Sequence, residues 1–288
     1  MTLTSMHTHT EFCDGRGTVE DFCRAAWERG FSSLGFSAHA PLERAGLSSD
    51  WHLPEARLEA YLDAVRSARR RWEGKLAVFL GMEVDYLAGR MGPADPLYRD
   101  LGLDYTIGAV HYIPDPRGGE PVAVDGSPED FAFCLRDLYG GDGEALAAAY
   151  WKALGEMIRA GGFDILAHMD LVKKNNGGER WFSRSGPGYR EGWAACIPAL
   201  RQSGAVAEIN TGGLNRGRTT EPYPSAEILA ALVRAGVPLL ISADAHATDQ
   251  LGGHYGLARQ MLLDSGGAAL QVFLGRNEGG PLWQSEAP

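Results

Sequence analysis

The stretch "MHTHTEFCDG", residues 6–15, sets two histidines two residues apart and follows them with a carboxylate, a thiol and a second carboxylate. In an extended segment residues i and i+2 face the same side, so His7 and His9 can serve one metal ion or two neighbouring ones. Alone, a His-x-His pair is a weak signal, compatible with a tag remnant or a surface accident. It gains weight because "LTSMHTH" is the first of seven short runs rich in apolar and β-branched residues, and most of the others end in the same chemistry.

The remaining runs are "SSLGFSAH", "LAVFLGMEVDY", "DYTIGAVHY", "FDILAHMD", "AVAEINT" and "VPLLISADAH". Between them lie amphipathic stretches: "TVEDFCRAAWERG", "LPEARLEAYLDAVRSARRRWEG", "GEALAAAYWKALGEMIRAGG", "REGWAACIPALRQSG" and "SAEILAALVRAGV". Several of these stop at glycine, and Pro54 suits a first helical turn. Strands alternating with helices predict an α/β protein with a parallel sheet, and seven such units favour a barrel over an open sheet. No linker divides the chain, so residues 1–288 read as one domain. Two connections, near 112–143 and 171–190, are too long for ordinary loops and read as lid-like insertions over a barrel mouth.

Charge and cysteine usage narrow the setting. A net charge of -10 argues against a nucleic-acid or anionic-membrane partner, yet leaves a small phosphorylated substrate open because metal ions reverse the local field. No apolar run has the length of a membrane span. Cys13, Cys23, Cys134 and Cys196 match no zinc-knuckle spacing. Reduced thiols and a cytoplasmic location are the expectation. Cys13 reads as a small neighbour of the opening motif, not as a ligand.

Mapped onto the strands, the metal-capable residues fall at one end. His7 and His9 close the first run, His39 the second, Glu83 the third, His111 the fourth and His168 the fifth, while Asp244 and His246 close the last. In a parallel barrel all C-terminal strand ends meet on one face, so these residues share a pocket. Imidazoles mixed with carboxylates suit zinc, manganese or iron better than calcium or magnesium. So many ligands exceed the needs of one four-coordinate ion. Two or three divalent ions, with Glu83 as a bridge, are the economical reading. Such clusters supply a hydroxide at neutral pH and clamp a phosphoryl group during in-line displacement. Amide or lactone hydrolysis is the chemical competitor.

"HTHTEFCD", "FSAHAPL", "GMEVDY", "GAVH", "LAHMDLVKK" and "ISADAH" together resemble the successive motifs of the PHP (polymerase and histidinol phosphatase) superfamily. "AHAPL", "HMDLVKK", "EINTGGL" and "YPSAEIL" resemble its histidinol-phosphate phosphatase branch, and the likeness runs from about residue 5 to 250. It implies a distorted seven-stranded barrel, with three metal ions. By that resemblance His7, His9, Glu83 and Asp244 hold one ion, Glu83, His111 and His168 a second, and Asp14, His39 and His246 a third. Many relatives carry histidine where this chain has Asp14. Glu83, Asp244 and His246 would then be the catalytic side chains, and the implied reaction is hydrolysis of L-histidinol phosphate in histidine biosynthesis.

A phosphate pocket adds Arg or Lys beside the metals. Lys173, Lys174, Arg180 and Arg184 follow His168, and Arg216 and Arg218 follow the sixth run. Arg216 and then Lys173 are favoured for closeness to a strand end, with Asn210 on the same rim. Glu11, Asp115, Asp125 and Tyr112 are candidates for the amine and imidazole end of the substrate. His52 and His254 lie off the strand ends and read as non-ligands. The alternatives are another phosphoester, such as a nucleotide or oligonucleotide end, or a metal-binding regulatory protein without turnover. The absence of a basic-aromatic stripe weighs against a polymer.

Overall fold

A computed structural model describes residues 2–288. Its centre is a seven-stranded parallel sheet in the order β1 (Thr4–Ser5), β2 (Ser33–Phe36), β3 (Ala77–Asp85), β4 (Tyr105–Ala109), β7 (Ile165–Leu166), β8 (Val206–Asn210) and β9 (Leu239–Ser242). The sheet curls until its two edges touch. Thr8 bridges Ala245 in parallel, His9 N donates to Ala245 O at 2.9 Å and Ala245 N to His7 O at 3.3 Å. The product is a nearly closed, distorted (β/α)7 barrel, as the alternation of runs predicts.

The distortion is local and has a physical cause. The runs "LTSMHTH" and "FDILAHMD" predict full strands, but regular pairing covers only Thr4–Ser5 and Ile165–Leu166. Past Ser5 the chain is held to Ser37, whose N–H donates to Thr8 O (3.0 Å), and makes the closing bridge with Ala245. Past Leu166 it turns to bring the backbone N–H of His168 to Glu208 Oε1 at 2.7 Å.

Helices lie outside the barrel and bury one stripe each. In the helix Val19–Glu28 the buried residues are Val19, Phe22, Cys23 and Ala26, the i, i+3, i+4, i+7 spacing of a single face. Thr18 caps it reciprocally with Asp21, satisfying the first-turn donors. The helices Pro187–Ser203 and Ala226–Ala235 stop at Gly204 and Gly236, both left-handed.

Inside the barrel, inward-facing residues alternate along each strand: Tyr105, Ile107 and Ala109 on β4, and Val206, Glu208 and Asn210 on β8. The lower layer is apolar. Tyr105 fills it, donating its hydroxyl to Met6 O at 2.6 Å. Gly35 and Gly81 make the room, since a Cβ on either would come within 2.3 Å of the Tyr105 side chain. The C-terminal hairpin of β10 (Leu270–Asn277) and β11 (Gly280–Glu286) closes this end through Phe273, whose ring centroid is 5.4 Å from Tyr105. This hairpin and the helix Tyr255–Asp264 before it lie beyond the runs that predict the barrel.

The upper end carries the long connections. Between β4 and β7, the small hairpin of β5 (Tyr112–Ile113) and β6 (Val122–Ala123) leads into the helix Pro128–Phe133. The segment after β7 folds as two 3-10 turns, Leu171–Asn175 and Gly177–Glu179.

Candidate metal centre

Glu83 stands at the middle of the upper layer, fully buried, on the inward parity of β3. Its Oε2 lies 3.1 Å from His7 Nε2, 3.5 Å from His9 Nε2 and 2.9 Å from His39 Nδ1. Its Oε1 lies 3.0 Å from His168 Nε2 and 3.6 Å from His111 Nε2. Asp244 approaches the same nitrogens, with Oδ1 3.7 Å from His7 Nε2 and 3.3 Å from His9 Nε2. Asp14 and His246 make the outer corner, His246 Nε2 to Asp14 Oδ2 being 3.0 Å. All nine residues that the sequence marks as ligands fall into overlapping groups whose donor atoms lie within 4.8 Å of one another.

The chemistry of these groups fits metal ions. Glu83 Oε2, His7 Nε2, His9 Nε2 and His39 Nδ1 are buried and have no hydrogen-bond partner. A buried polar atom without a partner costs about 1–3 kcal/mol, and several pointing at one spot form the donor set of an ion. Charges follow the same logic. Burial disfavours ionisation of Glu83, but the imidazoles of His7, His39 and His111 hold its carboxyl well below the usual range. Burial likewise opposes a charge on His7, yet Glu83, Glu208 and Asp244 raise it well above the ordinary imidazole value. His111 is raised to about 10, burial being outweighed by Asp85 and Glu83. His9 is pulled down to about 3 by burial, aided by His246 and His39.

Two carboxylates outside the expected ligand set orient the ring. Glu208, on β8, accepts from His7 Nδ1 at 3.0 Å and from the His168 backbone N at 2.7 Å, and is itself held by Ser242 and Asn210. Asp85, two residues beyond Glu83, accepts from His111 Nδ1 at 2.9 Å. Both leave the opposite nitrogen of their histidine facing Glu83. Strand parity puts them on the inward faces, 85 with 83 and 208 with 210, but does not mark them as braces. His52, read as a non-ligand, falls in none of these donor groups and touches Asp85, Nε2 to Oδ2 being 2.8 Å.

Above the cluster is a cavity of about 230 Å³ whose walls include Trp51, Asp125, Lys174, Arg216 and Arg218. Arg216 lines this cavity, with Nη2 3.1 Å from Asp244 Oδ2. Asn210 sits lower, fully buried, donating to Glu208 and Asp244. Lys173 does not join the rim. The 3-10 turn after β7 aims its ammonium at Asp170 (2.9 Å) and Pro222 O (2.8 Å), and its neighbour Lys174 faces the cavity. Glu11 is exposed, Asp115 pairs with Arg117, and Arg184 pairs with Glu179 and Glu221. Cys13 lies 3.5 Å from His9 Nδ1 as a protonated neighbour, burial and Asp14 pushing its thiol up to about 12.

The profile of the PHP domain matches residues 5–212 of this chain. The chain belongs to the PHP family. Among relatives, it is 28% identical over 266 residues to a "probable histidinol-phosphatase" of Deinococcus radiodurans, covering 92% of this chain and 94% of that one. It is 25% identical over 262 residues to the histidinol-phosphatase of Bacillus subtilis, covering 86% and 95%. Its fold is similar to the crystal structure of histidinol phosphate phosphatase from Lactococcus lactis, complexed with zinc, L-histidinol and phosphate. That likeness has a TM-score of 0.68 at 19% identity and covers 94% of this chain and 96% of that one. A PHP barrel with this buried donor set is a metal-dependent hydrolase.

Proposed function

We propose that this protein hydrolyses L-histidinol phosphate to L-histidinol and phosphate with two or three divalent ions. The observation that carries the reading is the ring of unpartnered nitrogens around Glu83 lying directly beneath an Arg216–Arg218–Lys174 rim. His7, His9, Glu83 and Asp244 would hold one ion, Glu83, His111 and His168 a second, and Asp14, His39 and His246 a third. Zinc, manganese and iron all suit this ligand mixture. When bound, the ions supply a nucleophile at neutral pH and stabilise charge on the phosphoryl oxygens.

The chain's own residues do the rest. Arg216 and Arg218 offer planar donors and Lys174 a point charge to phosphate oxygens that develop charge during displacement. Asp125, paired with Lys174 at 3.3 Å, is a carboxylate suited to the substrate's ammonium group, and Trp51 is a flat face for its imidazole. The segments near 112–143 and 171–190 serve as the lid, because they supply Asp125 and Lys174. With four free cysteines and no helix among the described residues long and apolar enough to cross a membrane, a cytoplasmic role fits this reading.

The test is a panel of phosphomonoesters, histidinol phosphate and nucleotides among them, given to protein loaded with zinc or manganese. Preferred release from histidinol phosphate is expected. Equal or faster release from nucleotides would assign the barrel a different substrate.

A further inference from the structure

We propose that His52 is a positioning residue for the metal centre. Through Asp85 it fixes His111, and by the same contact it holds the Trp51 loop against the cavity. The proposal rests on the metal-dependent reading above and adds a residue and a loop to it.

The hydrogen bonds converge on Asp85 from both sides. Ser49 Oγ accepts from the backbone N–H groups of Trp51 (3.1 Å) and His52 (3.3 Å), which leaves its own hydrogen for His52 Nδ1 at 2.9 Å. Nε2 of His52 therefore carries the ring proton and donates to Asp85 Oδ2 at 2.8 Å. The other oxygen of Asp85 accepts from both the backbone N (3.0 Å) and Nδ1 (2.9 Å) of His111. That leaves Nε2 of His111 turned toward Glu83, 3.6 Å from Oε1. His52, Asp85 and His111 are all buried, so no solvent substitutes for a missing partner. Without His52, Asp85 Oδ2 is left a buried acceptor with nothing to accept, and the carboxylate loses the contact that holds it square to His111.

The same loop carries Trp51. Its ring centroid is 3.9 Å from that of His52, and it meets His39 (4.8 Å) and His111 (5.3 Å) edge to face. The two outer carboxylates of the centre thus differ. Glu208 is braced by Ser242 and Asn210 of the barrel itself, whereas the outer support of Asp85 comes from a surface connection. An ion that tightens His111 tightens Trp51 through this chain, and by linkage the loop affects the ion equally.

The experiment titrates the metal-free full chain with Zn2+ against a chromophoric chelator while recording tryptophan emission. The Trp51 share is assigned by its loss in Trp51→Phe. His52→Ala is expected to weaken binding of one ion about tenfold or more and to abolish the Trp51 response. His52→Gln, whose amide N–H replaces the Nε2 donor to Asp85, is expected to recover most of both. Wild-type affinity and response in His52→Ala would overturn the proposal, as would a His52→Gln protein no better than His52→Ala. If His52→Ala does not fold, Ser49→Ala takes its place, weakened binding being expected and unchanged binding contradicting the relay. Failure of the wild type itself to bind Zn2+ would instead reject the metal-dependent reading.

Discussion

Arg216 Nη2 lies 3.1 Å from Asp244 Oδ2, and the same guanidinium places Nη1 2.6 Å from His246 Nδ1. One side chain on the cavity wall therefore braces two members of the candidate metal centre. Asp244 needs bracing: its φ is 47°, in the left-handed region that a non-glycine residue occupies at a cost of roughly 1–2 kcal/mol.

Arg216→Ala should act on substrate and metal together. Loss of a charge-assisted bond to phosphate costs about 2 kcal/mol, or ~30-fold in KM. Metal content after dialysis should fall as well, because Asp244 and His246 lose their brace. Arg216→Lys keeps the charge without the planar fork and should recover only part of either. Steady-state kinetics with metal analysis checks this. A fall in kcat alone, at full metal content, would remove Arg216 from phosphate binding.

Gly212→Ala is expected to disturb the centre without replacing any ligand. A Cβ there would lie 2.6 Å from Asp244 Oδ2. Overpacking of this kind costs about 1–3 kcal/mol, and Asp244 is the group that must move. Thermal unfolding and metal content should both drop. A variant with wild-type metal content would show that Asp244 has slack at this position.

Glu208→Gln keeps the shape and removes the charge. The carboxylate accepts from His7, from the His168 backbone, from Asn210 and from Ser242, and an amide cannot accept at both ends. Metal affinity should fall about 10- to 100-fold. Chelator competition gives the number, and an unchanged affinity would deny Glu208 its orienting part.

Metal binding should release protons even at pH 8. In the metal-free protein, burial is outweighed by Glu83, Glu208 and Asp244 at His7 and by Asp85 and Glu83 at His111, and both pKa values lie above the ordinary 6.5. A raised folded-state value stabilises the fold fully below pH 6.5 and loses that effect as pH rises toward about 10 at His111. Metal-free protein should thus become less stable between pH 6.5 and 10. Metal-loaded protein, its imidazoles already deprotonated, should lose this trend. Calorimetry in buffers of different ionisation heat and urea unfolding with chelator measure the two effects. No proton release at pH 8 would mean that the histidines are neutral before the ion arrives.

Much of this architecture was legible because strand ends in a parallel barrel converge. His111 and Glu83 could be brought together from their places at the ends of two runs, and β3 and β4 indeed pair in parallel through Glu83 and Ile107. The carboxylates behind the histidines were harder. Asp85 and Glu208 carry no spacing signal that separates a brace from an ordinary buried acid, and His52 reaches Asp85 only by tertiary folding of a loop. The choice between Lys173 and Lys174 depended on a 3-10 turn whose rotation no periodicity announces. The hairpin beneath the barrel gives a weak sequence signal because only Leu270, Val272 and Phe273 of its two strands are buried.

The central claim is that turnover of histidinol phosphate depends on ions held around Glu83. The direct measurement strips the protein with chelator, adds back Zn2+ or Mn2+ in steps, and follows phosphate release from L-histidinol phosphate in wild type and Glu83→Ala. No release is expected without metal, activity should rise to a plateau at two or three ions per chain, and Glu83→Ala should reach neither full loading nor turnover. Undiminished turnover in the stripped protein, or in Glu83→Ala, would contradict the claim.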